Sequence, residues 1–136
     1  MAEALRLLGC DRAIALHGRE GLDEAGLGQP TDLAILLAGS VRTDVLDPHE
    51  LGLPPAGLDD LRGGDVGVNA AILTGVLQGK GTEAQRNAVA LNAALALYVA
   101  GAVSTWQAGI ARSLEILTSG AAWEKLDALV EFLKDT

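Results

Sequence analysis

The stretch "LAILLAGSVRTDVL", residues 33 to 46, decides the fold class of this chain. Residues 33 to 38 form a short apolar run, and residues 41 to 46 alternate between β-branched side chains and other types. The Gly39-Ser40 pair between them has the composition of a tight turn. The stretch therefore predicts a hairpin of two antiparallel strands, of which the second is half-exposed.

Upstream of the hairpin, the run "RAIALH" at residues 12 to 17 is apolar at its centre and is followed by Gly18. A continuous apolar run of this length predicts another strand, buried on both faces. Residues 2 to 8 carry leucines at one-turn spacing and stop at Gly9, which predicts a short helix at the start of the chain. Cys10, just beyond that helix, is interpreted as a small core residue.

Downstream of the hairpin the chain is helical. Asp65 is placed to cap one helix, and the pairs Thr82 with Gln85 and Ser104 with Gln107 have the spacing of capping boxes that open two more. A final helix carries apolar residues at spacings of three and four. The order of helix, strand, loop, hairpin and four helices predicts an α/β fold class with a partial sheet and a β-hairpin, packed by C-terminal helices. Three strands are too few for a sheet covered on both sides, so we expect the sheet to be incomplete.

Composition limits the classes of function. A length of 136 residues fits one domain, and a formal net charge of −8 repels a phosphate backbone, so no nucleic acid partner is expected. The longest apolar stretch is shorter than the ~20 residues that span a bilayer, so we expect no membrane insertion. The single cysteine and the absence of a secretion leader favour the cytoplasm.

Two adjacent carboxylates, Asp23 and Glu24, lie in a glycine-rich loop directly after the strand at residues 12 to 17. Loops beyond the carboxyl ends of strands are where open α/β sheets bind ligands, and carboxylate oxygens are hard ligands suited to Mg²⁺. A solvated acidic turn is the alternative interpretation of the same residues. Spacing does not decide between the two.

Other candidate residues have simpler interpretations. The glycine loops "RGGD" at 62 to 65 and "GKGT" at 79 to 82 precede helices, where backbone N–H groups can hold phosphate, but neither has a full phosphate-binding fingerprint. His17 is expected to hydrogen-bond within the fold. Asn69 and Asn92 lie in apolar helical surroundings and are expected to bond to backbone carbonyls.

Several motifs, taken in order, resemble one known family. "RAIALHGREGLDE", a "PT" before the hairpin, "DPHELGL", "LRGGD", "NAAIL", "LNAALALYVAG" and "SGAA" occur here in the order and at the spacing of the carboxy-terminal portion of anthranilate phosphoribosyltransferase. The resemblance runs along essentially the whole chain. The patterns HG-x-x-GLDE and LNAAxALYxAG are its most specific parts.

The resemblance implies an enzyme of tryptophan biosynthesis, a glycosyltransferase that joins anthranilate to phosphoribosyl pyrophosphate and releases pyrophosphate. It implies Mg²⁺ as cofactor, with Asp23 and Glu24 as the metal ligands that hold the pyrophosphate. No residue of this chain is implied as a catalytic group, and the substrate-binding residues stay unknown. The fold that it implies is part of a nucleoside phosphorylase or phosphoribosyltransferase type of α/β domain.

The chain also departs from the family pattern. Residues 1–136 correspond to a C-terminal segment, without the helical domain that the family uses for dimerisation and without its glycine-rich phosphate loop. "AGLGQPT", residues 25 to 31, replaces a serine-containing segment. We therefore expect the isolated chain to be inactive and to need the N-terminal half or a partner chain. The alternatives are a non-catalytic α/β module that packs on a partner chain and a related transferase or phosphorylase with another acceptor.

Overall fold

The computed structural model describes residues 1–134 of the chain. A short 3-10 turn, Leu58–Leu61, precedes the last four helices. The regular elements, in chain order, are α1 (Ala2–Leu7), β1 (Arg12–Gly18), β2 (Thr31–Leu37), β3 (Ser40–Leu46), α2 (Val66–Leu77), α3 (Glu83–Val99), α4 (Trp106–Ser119) and α5 (Ala121–Lys134).

The three strands form one antiparallel sheet with β2 in the centre. Ile14 of β1 lies opposite Ile35 of β2, and Leu33 lies opposite Asp44 of β3. The predicted hairpin and the α/β class with a partial sheet are confirmed. The turn lies one residue earlier than predicted, at Ala38 and Gly39, which both have positive φ. Two consecutive positive φ angles match the twist of the flanking strands.

The prediction that β1 is buried on both faces is wrong. Its residues from Arg12 to Leu16 are only half-buried, and within residues 1–134 it pairs with β2 alone. The central strand β2 instead holds the fully buried positions, among them Leu33 and Ile35. An apolar run indicates a strand that packs against other parts of the protein, but it does not show whether one or both faces of the strand are covered.

The hydrophobic core lies between β2, the segment that follows the acidic pair, and helices α3 and α4. Helix α3 supplies the largest share of it through Ala90, Leu91, Ala94 and Leu95. Helix α4 approaches α3 closely at Gly109, where a β-carbon would lie 2.7 Å from the β-carbon of Ala94. The position of α3 therefore fixes the positions of both α4 and the loop after β1.

The predicted helix caps are largely confirmed. Asp65 accepts a hydrogen bond from the Val68 amide at 2.9 Å, and Thr82 and Gln85 form the reciprocal capping box of α3. The prediction for α4 is wrong by one residue, because Thr105 rather than Ser104 accepts from the Ala108 amide. Serine and threonine both carry a hydroxyl that can accept this bond, so the backbone geometry decides between the two neighbours.

Helix α2 is apolar but is largely uncovered. Val76 is its only buried residue, while Val66 is 86% exposed and Leu73 is 52% exposed. A soluble domain rarely leaves an apolar helix in this state. The surface of α2 is therefore more apolar than an ordinary protein exterior.

Cys10 is exposed, so its assignment to the core is wrong. It follows Gly9, whose positive φ belongs to the turn between α1 and β1. Among the helices of residues 1–134, none combines the length and the apolar character that crossing a bilayer requires.

Candidate metal site

The loop from Gly18 to Pro30 connects β1 to β2 and folds back against the end of β1. The Gly18 amide donates to the Leu22 carbonyl at 3.0 Å, and the Gly21 amide donates to the Gly18 carbonyl at 2.9 Å. The Arg19 amide donates to the Pro30 carbonyl at 3.1 Å, which closes the base of the loop. These backbone bonds hold the tip of the loop beside the strand end.

Asp23 and Glu24 lie at this tip, and both side chains are exposed. Neither carboxylate is hydrogen-bonded or ion-paired to another side chain within residues 1–134. The Glu24 carbonyl packs against Gly18, where a β-carbon would lie 2.7 Å from the carbonyl oxygen. The structure thus keeps the pair adjacent to the end of β1 with its oxygens free.

The residues that follow the pair are buried. Ala25, Gly26 and Leu27 are all part of the protein interior, and Ala25 is only 2% exposed. The side chain of Asn92, on α3, bonds both backbone groups of Ala25: its Oδ1 accepts from the amide at 3.0 Å, and its Nδ2 donates to the carbonyl at 2.9 Å. The predicted bonding of Asn92 to a backbone carbonyl is confirmed. Its attachment to the acidic loop was not predicted.

A third carboxylate of the loop, Glu20, turns inward. It is half-buried and accepts from the Gly28 amide at 3.3 Å. Gly26 and Gly28 pack against this carboxylate, and a β-carbon at position 28 would lie 2.7 Å from its Oε2. Glu20 therefore helps to hold the loop in place, a role that no sequence signal indicated.

A cleft of about 490 Å³ opens beside the pair. The acidic loop, α2 and α3 form its walls, and apolar side chains such as Leu22, Ile72 and Val76 line most of them. Glu24 lies at its margin. Glu24 therefore borders a concave surface, and Asp23 precedes it in the chain without lining the cleft itself.

The basic side chain of the loop, Arg19, is already paired with a carboxylate of β2. Arg19 donates to both oxygens of Asp32, with an Nη2–Oδ1 distance of 2.7 Å. This hydrogen bond, with smaller contributions from the charges of Arg19 and then His17, lowers the pKa of Asp32. Arg19 consequently does not neutralise Asp23 or Glu24.

His17 is exposed and faces Asp32 across the β1–β2 pair. Its side chain has no hydrogen-bond partner in residues 1–134, so the expectation of an internal hydrogen bond is wrong. The cause is its exposed place near the end of an edge strand.

The two glycine loops use their backbone groups internally. In "RGGD" the Asn69 amide bonds both the N–H and the C=O of Gly64, at 2.9 and 3.0 Å. In "GKGT" the carbonyls of Gly79 and Gly81 accept from Arg86. These bonds favour the interpretation of both loops as ordinary helix connections.

The donor set at the loop tip suits a hard cation. Within residues 1–134 no group of three or more His, Cys, Asp or Glu side chains is placed to hold a metal, so a closed protein cage is excluded there. Mg²⁺ keeps several waters and binds through one or two carboxylates plus substrate phosphates. The free oxygens of Asp23 and Glu24 beside an open cleft fit that mode of binding.

Comparison with known proteins identifies the family. The family model described as "Glycosyl transferase family, a/b domain" matches residues 1–123. The chain belongs to this family. Its α/β fold class is thereby confirmed.

Among members of the glycosyl transferase family, this chain is similar to anthranilate phosphoribosyltransferases. It is 65% identical over 133 residues to the enzyme of that name from Synechococcus sp. (strain JA-3-3Ab), and 61% identical over 133 residues to that of Thermosynechococcus vestitus. The alignments cover 98% and 96% of this chain and 39% of each relative. The chain spans about two fifths of the length of these relatives.

Solved structures of the glycosyl transferase family have the same fold. The anthranilate phosphoribosyltransferase of Thermus thermophilus superposes with a TM-score of 0.88 at 37% identity, over 98% of this chain and 39% of that one. The Saccharomyces cerevisiae enzyme, solved in complex with PRPP and Mg, superposes with a TM-score of 0.87 at 24% identity, over 99% of this chain and 39% of that one. The resemblance found in the sequence motifs is confirmed.

Proposed function

We propose that this chain is the carboxy-terminal part of an anthranilate phosphoribosyltransferase. That enzyme transfers the phosphoribosyl group of phosphoribosyl pyrophosphate to anthranilate in tryptophan biosynthesis, with release of pyrophosphate. The observation that carries the proposal is the placement of Asp23 and Glu24, unpaired and beside a cleft, on a loop that buried residues hold in place. The identity to the Synechococcus enzyme supports it.

Asp23 and Glu24 would hold Mg²⁺ in this function. When bound, the metal supplies the positive charge that an anionic substrate needs next to an acidic protein, and it neutralises the charge that develops on the pyrophosphate. The contribution of the chain is to present two carboxylates at a fixed place relative to the cleft, so that the pyrophosphate is oriented before reaction.

The reaction requires no nucleophile from this chain, because the attacking amine belongs to anthranilate. We accordingly assign no catalytic residue here. Residues 1–136 form one segment of the α/β domain, and we place the groups that grip anthranilate in the parts of the relatives that this chain does not match. The isolated chain is therefore expected to be inactive, and the cytoplasm remains its predicted location.

A chimera tests the proposal. The 133 matching residues of the Synechococcus enzyme are replaced by this chain, and the product is assayed for phosphoribosylanthranilate formation against Mg²⁺ concentration. We expect the chimera to be active, and the variants Asp23→Asn and Glu24→Gln each to lower kcat/KM more than the roughly 10-fold to 100-fold typical of residues that only support metal ligands. Full activity of the double variant would remove the metal assignment.

Two control variants remove the same charge as the variants of Asp23 and Glu24. Asp127→Asn and Glu124→Gln each remove one exposed carboxylate from α5, which contributes no residue to the lining of the cleft, and should leave the Mg²⁺ dependence unchanged. An inactive chimera that is folded by circular dichroism would contradict the assignment of this chain to the anthranilate enzyme. It would favour the related transferases or phosphorylases that use another acceptor.

The second candidate is a non-catalytic module that packs on a partner chain. The exposed apolar surface of α2 favours it, with Val66 and Leu73 both more than half exposed. Sedimentation of the isolated chain at several concentrations tests it. Concentration-dependent association that Val66→Ser and Leu73→Ser abolish would support this candidate, whereas a monomer at all concentrations would count against it.

A further inference from the structure

We propose that Asn92 is a positioning residue that sets the direction of the Asp23 and Glu24 carboxylates. The inference rests on the proposed function, because it takes these carboxylates as metal ligands. Asn92 would not touch the metal itself. It would act through the backbone of Ala25, the residue that follows Glu24.

The contact between Asn92 and Ala25 is bidirectional. Oδ1 accepts from the Ala25 amide at 3.0 Å, and Nδ2 donates to the Ala25 carbonyl at 2.9 Å. The second Nδ2 hydrogen bonds to the Ala88 carbonyl at 2.9 Å, one turn earlier on α3. One planar amide therefore ties the loop to the helix at two atoms and is itself fixed by a third bond.

Only a carboxamide of this length satisfies the three partners. A carboxylate accepts but does not donate, so its negative oxygen would repel the carbonyl oxygens of Ala25 and Ala88. A hydroxyl side chain is too short to bond both backbone groups of Ala25. Ala25 is buried, so its N–H and C=O have no access to water as a substitute. The bonds to Asn92 are thus the means by which the backbone of the loop is held at this point.

The Asp23-Glu24 dipeptide lies between two anchors. On one side the Leu22 carbonyl accepts from the Gly18 amide at the end of β1. On the other side Asn92 holds Ala25, whose nitrogen belongs to the same peptide plane as the Glu24 carbonyl. Two residues spanned by two fixed points have few backbone conformations, so the Cα–Cβ bonds of Asp23 and Glu24 point in a narrow range of directions. Release of the Asn92 bonds would leave this side of the pair held only by the packing of residues 25 to 27 and by the hydrogen bond from the Gly28 amide to Glu20.

The packing of α3 does not depend on this amide. The helix is held in the core by Ala90, Leu91, Ala94 and Leu95, and Asn92 itself is only half-buried. A change at Asn92 should therefore loosen the loop more than it loosens the fold. That difference separates a positioning role from a merely structural one.

The test uses the full 136-residue chain labelled with ¹⁵N, and Mn²⁺ as the probe. In the wild-type chain, we expect paramagnetic broadening to centre on the amides of residues 22 to 25. Asn92→Ala should raise the Mn²⁺ concentration for half-broadening at least about tenfold, as for other residues that support metal ligands. It should also speed hydrogen exchange at the Ala25 amide while the urea midpoint moves little.

Thr105→Ala is the control. It removes a side-chain hydrogen bond to the backbone at the start of α4, and Thr105 is not among the residues that line the cleft. It should leave the half-broadening concentration unchanged. A Thr105→Ala effect equal to that of Asn92→Ala would overturn the inference, since general loosening would then explain both.

A second variant covers the case in which Asn92→Ala does not fold. Asn92→Asp keeps the shape of the side chain but loses both donated bonds. Its added negative charge would strengthen Mn²⁺ binding by simple attraction, whereas lost positioning weakens it. Weaker binding by Asn92→Asp supports the inference, and tighter binding at residues 22 to 25 overturns it.

The two proposals fail in different ways. If Mn²⁺ broadens residues 22 to 25 of the wild-type chain and of the Asn92 variants alike, the positioning role is wrong and the metal assignment stands. If wild-type broadening is not centred on this loop, or if Asp23→Asn with Glu24→Gln does not remove it, the metal assignment fails and the positioning role fails with it.

Discussion

Gly18 and Glu24 lie so close that a β-carbon on residue 18 would be 2.7 Å from the Glu24 carbonyl oxygen. The β-carbon of Leu22 and its carbonyl oxygen are also near, at 3.3 and 3.1 Å from the same point. The end of β1 and the acidic pair are therefore in backbone contact. Any side chain at position 18 must push the pair away from the strand.

Gly18→Ala should destabilise the chain by about 1–3 kcal/mol, the usual cost of forcing extra volume into a packed site. The contacting atoms are mainly backbone, so they cannot rotate away. Urea unfolding measures the change. Gly67→Ala is the control, since position 67 is in a helix with more open space around it and alanine favours helices. A Gly18→Ala chain of unchanged stability would show that the loop shifts freely.

Gly109→Ala should also destabilise the chain by about 1–3 kcal/mol, because the new β-carbon meets Ala94 at the crossing of α3 and α4. The double variant with Ala94→Gly should recover part of the loss, since it removes the methyl group in the way. Thermal unfolding of the four chains forms a double-mutant cycle. Strictly additive effects would contradict direct contact.

Thr105→Ala should cost about 1 kcal/mol, because it removes the hydroxyl that accepts from the Ala108 amide at the start of α4. Ser104→Ala is the matched control and should have little effect, since Ser104 lies outside the cap. Urea midpoints compare the two. A larger loss of stability for Ser104→Ala than for Thr105→Ala would instead identify Ser104 as the cap, as the sequence pattern predicted.

Arg19→Gln should raise the pKa of Asp32 toward its ordinary value of 3.8, because the hydrogen bond from Arg19 is the main cause of the lowered pKa. A carboxyl group whose folded pKa is lowered contributes stability above its unfolded pKa and loses it as pH falls through the folded pKa. The variant should therefore show a smaller loss of stability on acidification below about pH 4. Carbon-detected NMR titration of Asp32 measures the pKa. Arg112→Gln, which breaks a distant pair with Glu115, should not change it.

Local patterns were enough to predict the strands, the hairpin and most helix caps, because each of these depends on residues close in the chain. The burial of β1 on one or both faces was not predictable, since its apolar sequence is the same whether or not other elements cover each face. The choice between Ser104 and Thr105 failed for a similar reason, because adjacent residues with the same chemistry differ only in backbone angles.

The residues of the candidate site were predictable from the sequence, but the contacts that hold them in place were not. Asp23 and Glu24 were found from their place after a strand and from the motif around them. Asn92 was expected to bond to the backbone, but its partner Ala25 lies 67 residues away in the chain, and no local pattern specifies such a distance. Contacts of this kind depend on how α3 packs against the loop.

The outer edge of β1 bears on how the chain behaves in solution. Within residues 1–134 no strand pairs with that edge, so a row of peptide donors and acceptors faces outward beside half-buried apolar side chains. Such a row is a template onto which another extended segment can add. In concentrated preparations, fibril growth templated by this edge of β1 would compete with the folded chain. A lysine or proline substituted into the edge strand would suppress it.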